Sequence, residues 1–75
     1  MFKEGVLIMA RFTICPEGCK WSQVDATSAE MAYRSVCSWY NPKTRIAVIN
    51  QATGQAVTFT RQLDRAGNLV KISQE

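Results

Sequence analysis

The 75-residue sequence predicts a two-layer α+β domain, in which an antiparallel sheet of about five strands carries one helix on one face. Three observations lead to this prediction. One strong helix signal lies between residues 27 and 40, segments of alternating apolar residues lie on both sides of it, and short turn sequences separate those segments. The predicted element order is β-β-α-β-β-β, and we expect residues 1–75 to form a single domain because no linker divides them.

Composition limits the classes of protein that the chain can belong to. Hydrophobic residues make up 47% of it and charged residues 20%, which is ordinary for a globular protein and argues against disorder. A core of this size contributes a net stability of only about 3–5 kcal/mol, so association with a second chain would be a useful supplement. The net charge of +3 favours anionic partners but also lies within the range that keeps a small domain in solution.

The first strand is predicted from Val6 to Cys15. Its odd-numbered positions, including Met9 and Arg11, are mixed in polarity and are expected on the less buried face. The apolar run at residues 5–10 is too short for a membrane span and lacks the cleavage pattern of a signal peptide. The even-numbered positions are all apolar and are expected on the core: Val6, Ile8, Ala10, Phe12 and Ile14.

The Pro-Glu-Gly triplet at residues 16–18 predicts a three-residue hairpin loop, with proline at its first position and glycine supplying a positive φ. Cys15 would then lie opposite Cys19, at a separation that a disulfide can span. A zinc site within one chain would lack ligands, because the sequence has no histidine. Three interpretations stay open at this point: a turn with free thiols, a labile disulfide, and a metal shared between chains through Cys15 and Cys19.

The second strand is predicted from Cys19 to Asp25. In the register of the short loop, Thr13 pairs with Trp21 and Arg11 pairs with Gln23. The Trp21 ring then points to the mixed face, whereas a one-residue bulge would turn it into the core, so its exposure is left open.

A helix is predicted from Ser28 to Tyr40. Thr27 and Glu30 match the capping box, in which the Thr27 hydroxyl accepts from the Glu30 amide and the Glu30 side chain reaches back to the Thr27 amide. Pro42 ends the helix, because the residue before a proline avoids helical backbone angles. The apolar side of the helix carries Ala29, Ala32, Tyr33, Val36 and Tyr40.

Three more strands are predicted after the helix. Residues 44–50 and 55–63 form strands joined by a turn at 51–54, and a type I turn at 64–67 leads to the last strand. In both hairpins the predicted pairing sorts apolar and polar residues onto separate faces. The predicted partners are Val48 with Val57, Ile46 with Phe59, Phe59 with Ile72, and Arg61 with Val70.

One helix covers only one side of such a sheet, so the other side must meet water or a partner. The predicted registers bring apolar and basic side chains to that side, with no acid except Asp25 near one end. The residues predicted to form this binding face are Met9, Arg11, Trp21, Arg45, Ile49 and Lys71.

Two functions fit such a face. It could dock onto a protein, either a second copy or another target, because Trp, Met and Arg are enriched in interfaces. It could instead bind single-stranded nucleic acid, with phosphates on the basic residues and bases stacked on aromatic rings. Such platforms present two or three rings, whereas only Trp21 is available here, so protein binding is the favoured interpretation. A solvated sheet surface is the third interpretation.

No enzymatic activity is expected. The chain has no histidine, its carboxylates are scattered over turns, caps and ends, and it has no glycine loop that could bind phosphate. Cys19 beside Lys20 is the one candidate nucleophile, but it lacks a partner base. We therefore expect no cofactor, no small-molecule substrate and no membrane partner. Three cysteines without an export signal indicate a reducing compartment, so we expect the cytoplasm.

The run Val-Asp-Ala-Thr-Ser-Ala-Glu-Met-Ala at residues 24–32 resembles the strand-to-helix unit of many short proteins from phages and other mobile elements. The resemblance covers about a tenth of the chain. It implies a small accessory or regulatory protein that binds a host or phage macromolecule, for example as an inhibitor.

Overall fold

The structure, a computed structural model, describes residues 9–75. Its five strands form one antiparallel sheet with one helix on one face, which confirms the predicted α+β class. Residues 6–8, the start of the predicted first strand, lie outside the described residues. The elements are β1 (Ala10–Pro16), β2 (Ser22–Ala26), α1 (Ala29–Val36), a 3₁₀ turn (Cys37–Trp39), β3 (Ile46–Asn50), β4 (Ala56–Leu63) and β5 (Leu69–Gln74). The order of the strands in the sheet is β2-β1-β3-β4-β5.

The core lies between α1 and the central strands. Phe12 and Ile14 of β1 are buried and Ala10 packs beside them, as the alternation predicted. The helix packs across β1, β2 and β3 and presents its predicted apolar side to them. Its Tyr33 ring also stacks on Phe59 of β4, with ring centres 4.9 Å apart. The other hydrophobic residues buried in the core are Ala26, Ala32, Val36, Ile46 and Val48.

The helix begins one residue later than predicted. Ser28 is the N-cap, and its Oγ accepts the Met31 amide hydrogen at 3.2 Å, so the Thr27 capping box is wrong. Glu30 is free of the cap and forms an ion pair with Arg34 at 3.0 Å, one helical turn further on. The α-helix ends at Val36, earlier than the predicted end at Tyr40. Residues 37–39 continue it as the tighter 3₁₀ turn.

The loop between β1 and β2 is longer than predicted and lies further along the chain, because Pro16 belongs to β1 and β2 begins at Ser22 and not at Cys19. Pro16 is buried opposite Ile46 of β3, and the next amide, that of Glu17, donates to the Arg45 carbonyl at 2.9 Å. The Cys19 amide donates to the Pro16 carbonyl at 3.1 Å, so residues 16–19 form a four-residue turn that begins at Pro16.

This longer loop shifts the β1–β2 register by two residues. Thr13 pairs with Gln23 and Arg11 pairs with Asp25, so the predicted Thr13–Trp21 and Arg11–Gln23 pairs are wrong. The shift is an even number, and every side chain therefore keeps its predicted face.

In the last two hairpins one register is confirmed and one is shifted. Val48 opposite Val57 and Ile46 opposite Phe59 are as predicted. The β4–β5 ladder is shifted by two residues, so that Arg61 pairs with Ile72 and not with Val70. An irregularity at residues 62–63 separates this regular part from the pair that Leu63 forms with Leu69 near the turn.

Candidate functional site

The sheet face opposite α1, here called the open face, has small side chains at its centre. Phe12 and Ile14 point to the core, so Thr13 and Cys15 point to the open face. The registers of β3, β4 and β5 extend this surface with side chains that are all half-buried by their neighbours. The centre of the open face consists of Thr13, Cys15, Ala47, Ile49, Thr58, Thr60 and Ser73. Ile49 is the single large side chain among them.

Arg11 does not offer a free charge on this face. Its Nε lies 3.0 Å and its Nη2 3.5 Å from the two carboxylate oxygens of Asp25, its cross-strand neighbour. The hydrogen bond and the negative charge of Asp25 both raise the pKa of Arg11. The two side chains are each about half exposed, 55% and 51%, so the pair lies at the rim in contact with water.

Arg45 is also paired. Its Nη2 donates to Oε1 of Glu75. The Glu75 amide donates to the Thr58 carbonyl at 2.8 Å, which extends the ladder by one residue beyond β5 and brings the carboxylate to the open face. The prediction that Asp25 is the only acid on this face is therefore wrong, because Glu75 lies there too.

Trp21 lies at the outer edge of the sheet. It directly precedes β2, the edge strand, and its side chain is 64% exposed, which settles the open question of its exposure. Lys71 lies on β5 at the opposite edge, four strand spacings or about 19 Å away. None of the acids among residues 9–75 forms an ion pair with Lys71.

The last two predicted residues lie in different places. Ile49 is half-buried next to Thr13 at the centre of the open face. Met9 is 57% exposed but lines a cavity of about 300 Å³ together with Met31 and Ser35 of the helix. Asp25, the partner of Arg11, lines the same cavity, so Met9 lies between the Arg11–Asp25 pair and the helix.

The predicted cross-strand pair of Cys15 and Cys19 is wrong. The shifted register leaves Cys15 in the sheet and Cys19 exposed in the loop, and all three cysteines are free thiols. Cys37 is half-buried, and its S–H group donates a hydrogen bond to the Arg34 carbonyl oxygen, 3.7 Å from Sγ. Within residues 9–75, no group of three His, Cys, Asp or Glu side chains is arranged to hold a metal ion.

Sequence reasoning missed one further polar contact of the open face. Gln51 Nε2 donates to Thr13 Oγ1 at 2.8 Å, and its backbone amide donates to the Arg11 carbonyl at 3.1 Å. These bonds depend on β1 lying beside β3, which no local pattern in the sequence indicates. No pattern in the sequence therefore indicated that Gln51 contacts Thr13 and Arg11.

No protein-family model, curated protein or solved structure matches the chain. In the part of the chain that the structure describes, no helix has the length and apolar character needed to cross a membrane. The functional argument therefore depends on the geometry of the open face.

Proposed function

We propose that this chain is a small, non-catalytic binding module that docks onto another protein through its open face. The observation that carries the proposal is the centre of mostly small side chains, with exposed Trp21 at its rim. Small side chains let a partner approach the sheet closely between the Gln51–Thr13 and Arg45–Glu75 contacts. A tryptophan at the edge supplies the large aromatic contact that most often dominates binding energy.

The charges of the open face favour a protein over a nucleic acid. Three cations, Arg11, Arg45 and Lys71, face two carboxylates, those of Asp25 and Glu75, which leaves a net charge of 3 − 2 = +1. Two of the three cations already pair with a carboxylate, and a phosphate would have to compete with it. Ion pairs at the rim of an interface contribute little affinity but restrict which partner fits.

The alternative function, binding of single-stranded nucleic acid, retains two elements of support. Trp21 offers a ring for stacking and Lys71 offers a cation that no described acid neutralises. Because they lie at opposite edges of the sheet, a strand would have to cross about 19 Å of a face whose other two cations are already paired with carboxylates. This separation makes nucleic acid the second candidate.

The setting of the module is also part of the proposal. The resemblance of residues 24–32 to short phage and mobile-element proteins supports a regulatory or inhibitory role on a host or phage macromolecule. The three free thiols are consistent with a reducing compartment, and we place the protein in the cytoplasm.

The two exposed tryptophans provide a matched experiment. Trp21 lies at the open face, whereas Trp39, 70% exposed, lies in the 3₁₀ turn that follows the helix. Wild type, Trp21→Ala and Trp39→Ala would be used to capture partners from the native cell. We expect wild type and Trp39→Ala to retain the same partner and Trp21→Ala to lose it. Equal recovery by all three proteins would reject the open face as the docking surface.

A second measurement separates the two candidate functions. Binding to a fluorescent oligothymidine would be titrated with salt, because contacts with phosphates give an affinity that falls steeply as salt rises. Strong, salt-sensitive binding that is lost in both Trp21→Ala and Lys71→Ala would favour nucleic acid. No binding at low salt would leave protein docking as the proposal.

A further inference from the structure

The outer edge of β5 carries unpaired backbone groups. The Glu75 amide donates to the Thr58 carbonyl, which marks these two residues as a hydrogen-bonded pair of the β4–β5 ladder. Such pairs alternate along antiparallel strands, so Ser73 also faces β4 while Ile72 and Gln74 direct their N–H and C=O groups outward. Within residues 9–75 no strand lies beyond β5. A row of free groups of this kind is a template for another strand.

Apolar side chains next to this edge are uncovered. The helix packs across β1, β2 and β3, so no helix lies over β5 in the described part of the chain. Leu69 is 44% exposed and Val70 is 59% exposed, and Ile72 is half-buried on the helix side opposite Arg61. The uncovered apolar surface and the free backbone groups thus lie on the same strand.

The other edge of the sheet differs. The helix-side residues of β2 lie beneath α1, where Ala26 is buried and Val24 packs against the core. The Asp25 carboxylate of β2 is occupied by Arg11. β2 therefore has a free backbone edge but a covered apolar side. β5 has a free backbone edge and an uncovered apolar side.

We propose that β5 pairs antiparallel with β5 of a second copy of this chain, so that the two sheets join into one. The pairing is symmetric, with Ser73 opposite Ser73 of the second copy. It spans residues 71–75 of both copies, so it covers the side of Ile72, while Leu69 and Val70 lie beyond the paired segment. Ile72 of each copy then exchanges backbone hydrogen bonds with Gln74 of the other, which uses the outward groups of both strands. The two-fold axis repeats every contact.

Charge complementarity selects this register. It places Lys71 of each copy opposite Glu75 of the other, so each Glu75 carboxylate lies between Lys71 of the second copy and its own Arg45. A register in which Lys71 faces Lys71 places like charges directly opposite each other and is disfavoured. Lysine on an edge strand normally discourages pairing, and here the acid of the second copy removes that obstacle.

The joined sheet leaves both open faces uncovered. Dimerisation uses the edge of β5, with Ile72 on the helix side and the Lys71–Glu75 pairs at the margin of the open face. The centre of the open face and Trp21, at the opposite edge of the sheet, take no part in it. The inference therefore goes beyond the proposed function, and each can fail without the other.

Gln74→Pro tests the backbone pairing. Proline removes an amide hydrogen that points outward and forms no bond within the chain, and edge strands tolerate proline at such positions. The control is Gln74→Thr, which keeps the amide. Sedimentation at increasing concentration should return twice the chain mass of 8.4 kDa for wild type and Gln74→Thr, and the single mass for Gln74→Pro. Circular dichroism would verify that each protein is folded.

Charge reversal tests the register and does not depend on proline. Lys71→Glu and Glu75→Lys each place like charges opposite each other twice in a homodimer, and each should weaken self-association roughly tenfold. An equimolar mixture of the two variants restores every Lys–Glu pair and should recover the dimer. A wild type that stays monomeric at every concentration, or a mixture that associates no better than its components, would overturn the proposal.

Discussion

Truncation of Phe59 tests the centre of the fold. Phe59 is 1% exposed and its ring stacks on Tyr33 with centres 4.9 Å apart and planes inclined by 20°. Removal of a buried phenylalanine costs about 3–5 kcal/mol, because it loses burial and leaves a cavity. The net stability expected for a core of this size is also about 3–5 kcal/mol. Phe59→Ala should therefore be largely unfolded at room temperature.

The assay is urea denaturation followed by far-UV circular dichroism, at one protein concentration for all variants because self-association would add to apparent stability. Phe59→Leu should keep a cooperative transition and lose about 1–3 kcal/mol. A double-mutant cycle of Phe59→Leu with Tyr33→Leu should give a coupling of about 0.5–1.5 kcal/mol for the ring pair. Val70→Ala, at a 59% exposed position, is the control and should stay within about 0.5 kcal/mol of wild type. A wild-type urea midpoint for Phe59→Ala would refute the reasoning.

Two other predictions concern the helix cap and the last turn. Ser28→Ala removes the acceptor of the Met31 amide and should cost about 1 kcal/mol in urea denaturation, whereas Thr27→Ala should leave the midpoint unchanged. Equal losses of stability in both variants would instead support the Thr27 capping box. The Asp64 carboxylate accepts backbone amide hydrogens from Asn68 and Ala66, and these bonds lower its pKa, the Asn68 bond most. Its stabilising effect is thus present above the unfolded pKa near 4 and is lost as pH falls through the lower folded pKa. The difference in urea midpoint between wild type and Asp64→Ala should shrink from neutral to strongly acidic pH, and a constant difference would contradict this account.

Much of the local structure could be predicted because short-range physics determines it. Alternating apolar residues placed Phe12 and Ile14 in the core, and spacings of three and four placed Tyr33 on the buried side of the helix. The helix start was missed by one residue because Thr27 and Ser28 are both good N-caps, and only the folded backbone chooses between them.

The candidate site was predicted as a face but not as a set of contacts. Arg11 and Arg45 were placed on the correct side of the sheet, yet their partners were not foreseen. Asp25 meets Arg11 only after a two-residue shift in register, and Glu75 reaches Arg45 across β4. Contacts between strands distant in sequence do not leave a local pattern.

The sequence by itself determined the class of fold, the order of elements along the chain and the face to which the residues of the regular strand segments point. Only the tertiary structure decided that β1 lies between β2 and β3, that Pro16 continues β1, and which charges meet on the open face. The physical reason is that side chains on a strand alternate with a period of two residues. A shift of the register by two leaves that alternation unchanged, so the pattern defines the faces but cannot distinguish one partner from the next.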